Sequence, residues 1–173
     1  MRPFLALSIA LTSVALAGPA FADLGPPRPS YEVERGQLIL PAYMSIVFKH
    51  GTDELEPKSL RAIGRIAAFL DEKEGVTTMR VASHVDTAEA GTAVAAQTLS
   101  EKRALVVAKA IADKGIACAR LLPVGFGDTK AVAPVRSPAN SRVEAHIAGS
   151  KSRPIGGAPM DGGGKVAGDP CQE

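Results

Sequence analysis

Apolar and polar positions alternate along the chain with two periods, and the longer period predicts two helices. From Leu60 to Leu70 the apolar residues recur at helical spacing, with Pro57 suited to a helix start and Gly75 to its end. A second helix is predicted over about 99–114, after a loop over 87–98 that is rich in small residues and whose second half could already be helical. Each helix has one apolar side, so both are expected to pack against a sheet.

The shorter period, in which every second residue shares a face, predicts four strands. The clearest strand runs from Met79 to Val85 and ends at Asp86. The element order strand, helix, strand, helix, strand, strand favours an α/β two-layer sandwich, with both helices on one face of a mixed sheet. The predicted strands cover 44–48, 79–85, 121–126 and 142–147.

The first residues of the chain have the pattern of a secretory signal, residues 1–22. Arg2 precedes an apolar run over 4–16, and the small residues in 20–22 suit a signal peptidase that would cut before Asp23. The apolar run is short for a membrane span, and no later segment approaches the roughly 18 to 20 apolar residues a span needs. We therefore expect an exported chain with no transmembrane segment after signal cleavage.

Composition also predicts the limits of the compact domain. Residues 23–42 are expected to form a Pro-rich leader that could include an edge hairpin within 31–40. The domain itself is expected over 43–148. From 149 to 173 the chain is rich in Gly and Pro and has few large apolar side chains, so a flexible tail is expected there.

Charge and chemistry exclude several classes of function. The 20 Lys and Arg nearly balance the 18 Asp and Glu, which argues against nucleic acid as a partner. His84 and Asp86 could suggest two metal ligands, but the other histidines show no ligand spacing, so neither a metal nor another cofactor is expected. Ser83 lies too close to both along one strand for a catalytic triad, and no enzyme is predicted.

Two cysteines, Cys118 and Cys171, remain in a chain that is expected to be exported. A disulfide between them would attach the end of the chain to the domain. Two unpaired thiols, or pairing with another chain, are the alternatives that the sequence leaves open.

Five short motifs lie in order along residues 44–148. They are Ile46-Val47-Phe48 with Gly51, Glu54, Leu55 and Pro57; Ser83-His84-Val85-Asp86; Leu99-Ser100-Glu101-Lys102-Arg103-Ala104; Arg120-Leu121 with Val124-Gly125-Phe126-Gly127; and Asn140-Ser141-Arg142-Val143-Glu144. In this order they resemble the OmpA-like peptidoglycan-binding domain, a family that includes peptidoglycan-associated lipoproteins and flagellar stator proteins. The resemblance implies a non-catalytic module in the periplasm, associated with the cell wall or the outer membrane.

The resemblance also implies a site for the diaminopimelate of the peptidoglycan stem peptide. Asp86 would accept hydrogen bonds from the ligand ammonium, and Arg103, expected in the first turns of the second helix, would hold the carboxylate through two parallel hydrogen bonds. Thr87, Asn140 and Arg142 complete the set of candidate ligand-binding residues.

Other interpretations of the same residues remain open. Asp86 and Arg103 could form a structural ion pair, Asn140 could stabilise a turn, and Arg142 could be a solvated strand residue. The motif around Asp86 also differs from that of the family, since Ser83 replaces a glycine and the spacing to Arg103 is longer. The chain could therefore have kept the fold and bind another envelope protein instead of peptidoglycan.

Overall fold

Alternating apolar positions and tight turns produce one mixed sheet in the computed structural model of the protein. The structure describes residues 31–41, 44–134, 136–151, 153–154 and 163–172, so the predicted signal, residues 1–22, lies outside the described residues. The strands are β1 (Glu32–Glu34), β2 (Gln37–Ile39), β3 (Val76–His84), β4 (Leu121–Gly125), β5 (Arg142–Ser150), β6 (Arg153–Pro154) and β7 (Lys165–Val166). Their order is β1-β2-β5-β3-β4-β7, with β6 on β5. The helices are α1 (Leu60–Glu72), α2 (Thr87–Ala90) and α3 (Ala93–Ala112).

The apolar sides of α1 and α3 pack against the sheet in one core. Strand β3 lies between β4, to which it is parallel, and β5, to which it is antiparallel. The prediction of an α/β fold with helices packed on one mixed sheet is confirmed. Central members of this core are Ile63, Ile66 and Leu70 of α1, Met79 and Val81 of β3, and Val107 and Ile111 of α3.

The prediction of a first strand over 44–48 is wrong, because a hairpin occupies the edge of the sheet instead. Among 44–48 only Phe48 forms a β-bridge, with Leu55. The hairpin β1–β2 turns at Arg35 and Gly36, whose positive φ angles of 48° and 81° are typical of a tight two-residue turn. Strand β2 pairs with β5, and β1 forms the edge, so this hairpin lies within the 31–40 segment where the sequence allows an edge hairpin.

The second helix begins earlier than the sequence predicts. The hydroxyl of Thr92 accepts a hydrogen bond from the backbone N–H of Ala95 at 3.1 Å and caps α3 there, ahead of an alanine-rich turn with strong helix preference. The helix thus begins at Ala93 and not near Leu99, within the half of the loop that the sequence allowed to be helical, and Arg103 lies in the middle of the helix. The backbone amides at the start of α3 are thus remote from Arg103.

Glycine at position 125 allows α3 to approach the sheet closely. A Cβ atom on Gly125 would lie 2.6 Å from the Ser100 hydroxyl and 2.5 Å from the backbone nitrogen of Glu101. The same hydroxyl accepts a hydrogen bond from the N–H of Gly127 at 2.9 Å. These contacts fix the helical turn that precedes Arg103.

Ordered structure extends beyond both ends of the range predicted for the domain. Strand β7 pairs with β4, and a disulfide joins Cys118 to Cys171 with a Cα–Cα distance of 5.9 Å. The expectation of a flexible tail is therefore corrected for 163–172. Within the described residues, no helix is both long and apolar enough to cross a membrane.

Candidate functional site

A groove of about 780 Å³ lies where the ends of β3 and β5 face the segment 44–48. It brings together three of the sequence-predicted site residues, Asp86, Arg103 and Arg142. The other two, Thr87 and Asn140, line a separate cavity of about 60 Å³ on the far side of Asp86. The structure thus divides the predicted set between two spaces that share one carboxylate.

Asp86 lies at the end of β3, and its carboxylate is held by three N–H donors. Oδ1 accepts a hydrogen bond from the backbone of Ala88 at 2.7 Å, which caps α2. Oδ2 accepts from the side-chain amide of Asn140 at 2.8 Å and from the backbone of Arg136 at 3.0 Å. The Asn140 and Ala88 hydrogen bonds hold the pKa of Asp86 below its usual value. Asp86 is therefore an ionised acceptor within the fold.

Arg103 reaches the groove from the middle of α3 and is 4% exposed. Nε donates a hydrogen bond to the carbonyl of Thr52 at 2.8 Å, and the guanidinium lies 4.7 Å from the centre of the Phe48 ring. Its two terminal nitrogens point to the carboxylate of Glu89. The contacts with Phe48 and Thr52 fix the plane of the guanidinium, so that its two terminal nitrogens face the carboxylate of Glu89.

Glu89, on α2, is the site residue that sequence reasoning missed. Its side chain is 11% exposed and pairs with Arg103, and Oε1 also accepts a hydrogen bond from the N–H of Gly51 at 3.0 Å. Burial raises the pKa of Glu89, but hydrogen bonds from Arg103, Ser141 and Gly51 outweigh it and hold the pKa at about 2. The one sequence signal for Glu89 was a carboxylate three residues after Asp86, which none of the motifs contains.

The structural ion pair considered for Asp86 and Arg103 does not form within the described part of the chain. Arg103 pairs with Glu89 there, and Asp86 pairs with the amide of Asn140. The two predicted ligand-binding residues therefore have separate internal partners, and α2 lies between them in sequence and carries Glu89.

Asn140 organises the loop beside Asp86. Its side-chain oxygen accepts hydrogen bonds from the backbone N–H groups of Val132 and Ala133, each at 3.0 Å, while its nitrogen donates to Asp86. It is 5% exposed. Asn140 thus connects the loop to the end of β3 through its side chain, which bonds residues 132–134 and Asp86 and not the backbone of its own turn.

Arg142 belongs to a charged cluster on the face of the sheet opposite the helices. Its Nε donates to Oε1 of Glu144 at 2.6 Å, and Oε2 of Glu144 lies 2.7 Å from Nε2 of His146. His84 stacks on the Phe126 ring at 5.1 Å, with Nε2 at 3.7 Å from Glu144, and burial lowers its pKa. Arg142 therefore has an intramolecular carboxylate as its partner.

Several solved structures are similar to the chain. The OmpA-like domain of FopA1 from Francisella tularensis has 23% identity and a TM-score of 0.55, covering 74% of this chain and 81% of that one. The periplasmic domain of Helicobacter pylori MotB (residues 90–256) has 24% identity and a TM-score of 0.54, covering 66% and 75%. The cell wall anchor of the T6SS from Pseudomonas aeruginosa has 28% identity and a TM-score of 0.50, covering 58% and 73%. The first two show a shared fold.

A family model gives the more specific result. No curated protein matches the chain. The model of the OmpA family matches residues 47–144, more than half of the chain, and this range contains Asp86, Glu89 and Arg103. The same range carries the five motifs, apart from Ile46, and most of the core of the mixed sheet. The chain therefore belongs to the OmpA family.

Proposed function

We propose that this protein is a non-catalytic periplasmic module that binds peptidoglycan and contacts the diaminopimelate of the stem peptide through Asp86 and Arg103. The observation that carries the proposal is that both residues line one groove, although they lie on different elements. Family membership and the likeness to a cell wall anchor of 28% identity support it. The signal at residues 1–22 would direct export and would be removed by cleavage before Asp23.

The chemistry of the two residues suits the two charges of a diaminopimelate end. Arg103 presents two parallel N–H donors to a carboxylate, the geometry in which it now holds Glu89. Asp86 is ionised and accepts from N–H donors, as it would from an ammonium. A zwitterion that reaches both residues would therefore be recognised through complementary charges.

Sedimentation with purified sacculi tests the proposal. Asp86→Asn removes the charge, and its side-chain oxygen can keep the cap of α2, because Asn caps helices as well as Asp does. Its amide nitrogen replaces Oδ2, which accepts from Asn140 and Arg136, so urea unfolding of the variant is measured beside its binding. Losing the ionic contact should cost about 2 kcal/mol of binding, roughly a thirtyfold loss of affinity. Asp71→Asn, at an exposed position, is the charge-matched control and should pellet like the wild type. If Asp86→Asn also pellets like the wild type, the site assignment fails; if no variant pellets, peptidoglycan binding fails.

A second candidate function is supported by the internal partners of both residues. Asp86 and Arg103 are each engaged by other groups of the chain, as they would be in a scaffold that has lost the ligand and binds another envelope protein. Cross-linking in cells distinguishes the two functions. The first predicts adducts with murein, and the second predicts a discrete adduct with one protein.

A further inference from the structure

The carboxylate of Glu89 occupies the side of Arg103 that the carboxylate of a ligand would need. We propose that Glu89 is an internal competitor that sets the affinity of the site and leaves Arg103 when the ligand binds. The inference rests on the proposed function and names a determinant of affinity at the same groove.

The competition follows from the number of donors on Arg103. Nη1 donates to Oε2 of Glu89 at 3.2 Å and Nη2 donates to Oε1 at 2.5 Å, so Glu89 occupies both terminal nitrogens of the guanidinium. Nε donates to the carbonyl of Thr52, and Nη2 also lies 3.4 Å from the carbonyl of Lys49. A second carboxylate has no pair of parallel N–H donors left, so it binds in this geometry only after Glu89 moves away.

Few contacts hold α2, the helix that carries Glu89, in place beside Arg103. Helix α2 is a single turn that buries no apolar residue, and it ends at Gly91, whose φ of 85° breaks the helical path. Its polar contacts are the cap from Asp86, the pair with Arg103 and the hydrogen bonds that Glu89 accepts from Gly51 and Ser141. Releasing it exposes no apolar core, so the main cost is the loss of these few polar contacts.

The same ligand would act on two of these contacts at once. A carboxylate at Arg103 displaces Glu89, and an ammonium at Asp86 competes with the N–H of Ala88, which lies 2.7 Å from Oδ1. A zwitterion therefore loosens α2 from both sides, whereas a simple carboxylate or a simple amine loosens it from one. Glu89 therefore lowers the affinity only of ligands whose carboxylate must replace it on Arg103, and a ligand that brings an ammonium alone leaves the Glu89–Arg103 pair intact.

Binding of two stem tripeptides to Glu89→Gln tests the inference. One tripeptide carries diaminopimelate, and the other carries lysine, which has the same ammonium and lacks the second carboxylate. Glu89→Gln should bind the diaminopimelate peptide about tenfold more tightly than the wild type does, a gain of about 1.4 kcal/mol, and should show no gain for the lysine peptide. Glu74→Gln, an exposed change of the same charge, should bind like the wild type.

The outcomes separate this inference from the proposed function. Equal affinity of wild type and Glu89→Gln, with both weakened by Asp86→Asn, overturns the competitor and leaves peptidoglycan binding intact. No binding of the peptide by either protein also overturns the inference about Glu89. Sedimentation with sacculi then tests peptidoglycan binding independently. A gain for both peptides indicates a general charge effect and likewise overturns it.

A measurement on the wild type covers the case in which Glu89→Gln does not fold. The ¹³C signal of the Glu89 carboxyl should move toward that of the exposed Glu74 as the diaminopimelate peptide is added. An unchanged signal, with the peptide bound according to shifts at Asp86, overturns the inference.

Discussion

Glu89 of α2 and Arg103 of α3 form an ion pair with two hydrogen bonds, at 3.2 and 2.5 Å, and both residues line the groove. Arg103 is 4% exposed and the Glu89 side chain is 11% exposed, so the pair is largely removed from water. Removing one partner of such a pair lowers the stability of the fold strongly, because the remaining buried charge is left without a partner.

Glu89→Gln is predicted to lower the free energy of unfolding by about 2 to 4 kcal/mol at neutral pH, because the buried charge of Arg103 loses its counter-charge. Urea unfolding measures the change. Glu74→Gln, at an exposed position, should stay within about 0.5 kcal/mol of the wild type. Equal effects of the two substitutions would show that the ion pair contributes no stability.

Acidification should remove the contribution of Glu89. Its pKa is lowered from 4.5 to about 2 in the fold, so the unfolded chain binds the proton first as the pH falls. The stability from this group is complete above pH 4.5 and is lost between pH 4.5 and about 2, to the extent of about 1 to 3 kcal/mol. The difference between wild type and Glu89→Gln should shrink over that window. A constant difference would contradict the assignment.

His84→Phe is predicted to stabilise the fold. Among the described residues neither ring nitrogen of His84 has a hydrogen-bond partner, and the ring already stacks on Phe126. Removing two unsatisfied buried nitrogens should raise the free energy of unfolding by about 1 kcal/mol. Burial lowers the pKa of His84 from 6.5, so stability falls as the pH drops below 6.5, and the gain should grow there. Thermal unfolding at pH 7 and pH 5 measures both effects. If His84→Phe were less stable than the wild type at both pH values, the prediction that His84 destabilises the fold would be wrong.

Replacing Cys118 and Cys171 together by Ser should destabilise the protein by about 2 to 4 kcal/mol, because the bridge spans a separation of 53 residues and restricts the unfolded chain. Unfolding of the oxidised wild type and of the double variant gives the difference. The reduced wild type should match the double variant. A double variant as stable as the oxidised protein would show that the bridge contributes nothing.

The fold was accessible from the sequence where local pattern and tertiary packing agree. The apolar spacing from Leu60 to Leu70 and the alternation from Met79 to Val85 both give elements in the sheet and its helical layer. The segment 44–48 has strand-forming residues, but β2 is the segment that pairs with β5. Strand preference alone does not decide which of two segments pairs with a given strand of the sheet.

The candidate site was only half accessible from the sequence. Asp86 and Arg103 belong to motifs, and both line the groove. Glu89 lies outside every motif, and its contact with Arg103 depends on where α2 turns, which in turn depends on the cap from Asp86 and on the φ of Gly91. The Glu89–Arg103 contact therefore cannot be derived from the spacing of the two residues along the chain.

Calorimetric titration with the two stem tripeptides tests the central claim most directly. We predict that the wild type binds the diaminopimelate peptide, that the lysine peptide binds at least about tenfold more weakly, and that Asp86→Asn weakens the diaminopimelate peptide by a similar factor while Asp71→Asn does not. Equal binding of the two peptides, or full affinity in Asp86→Asn, would contradict a site in which Asp86 and Arg103 hold the two charges of one zwitterion.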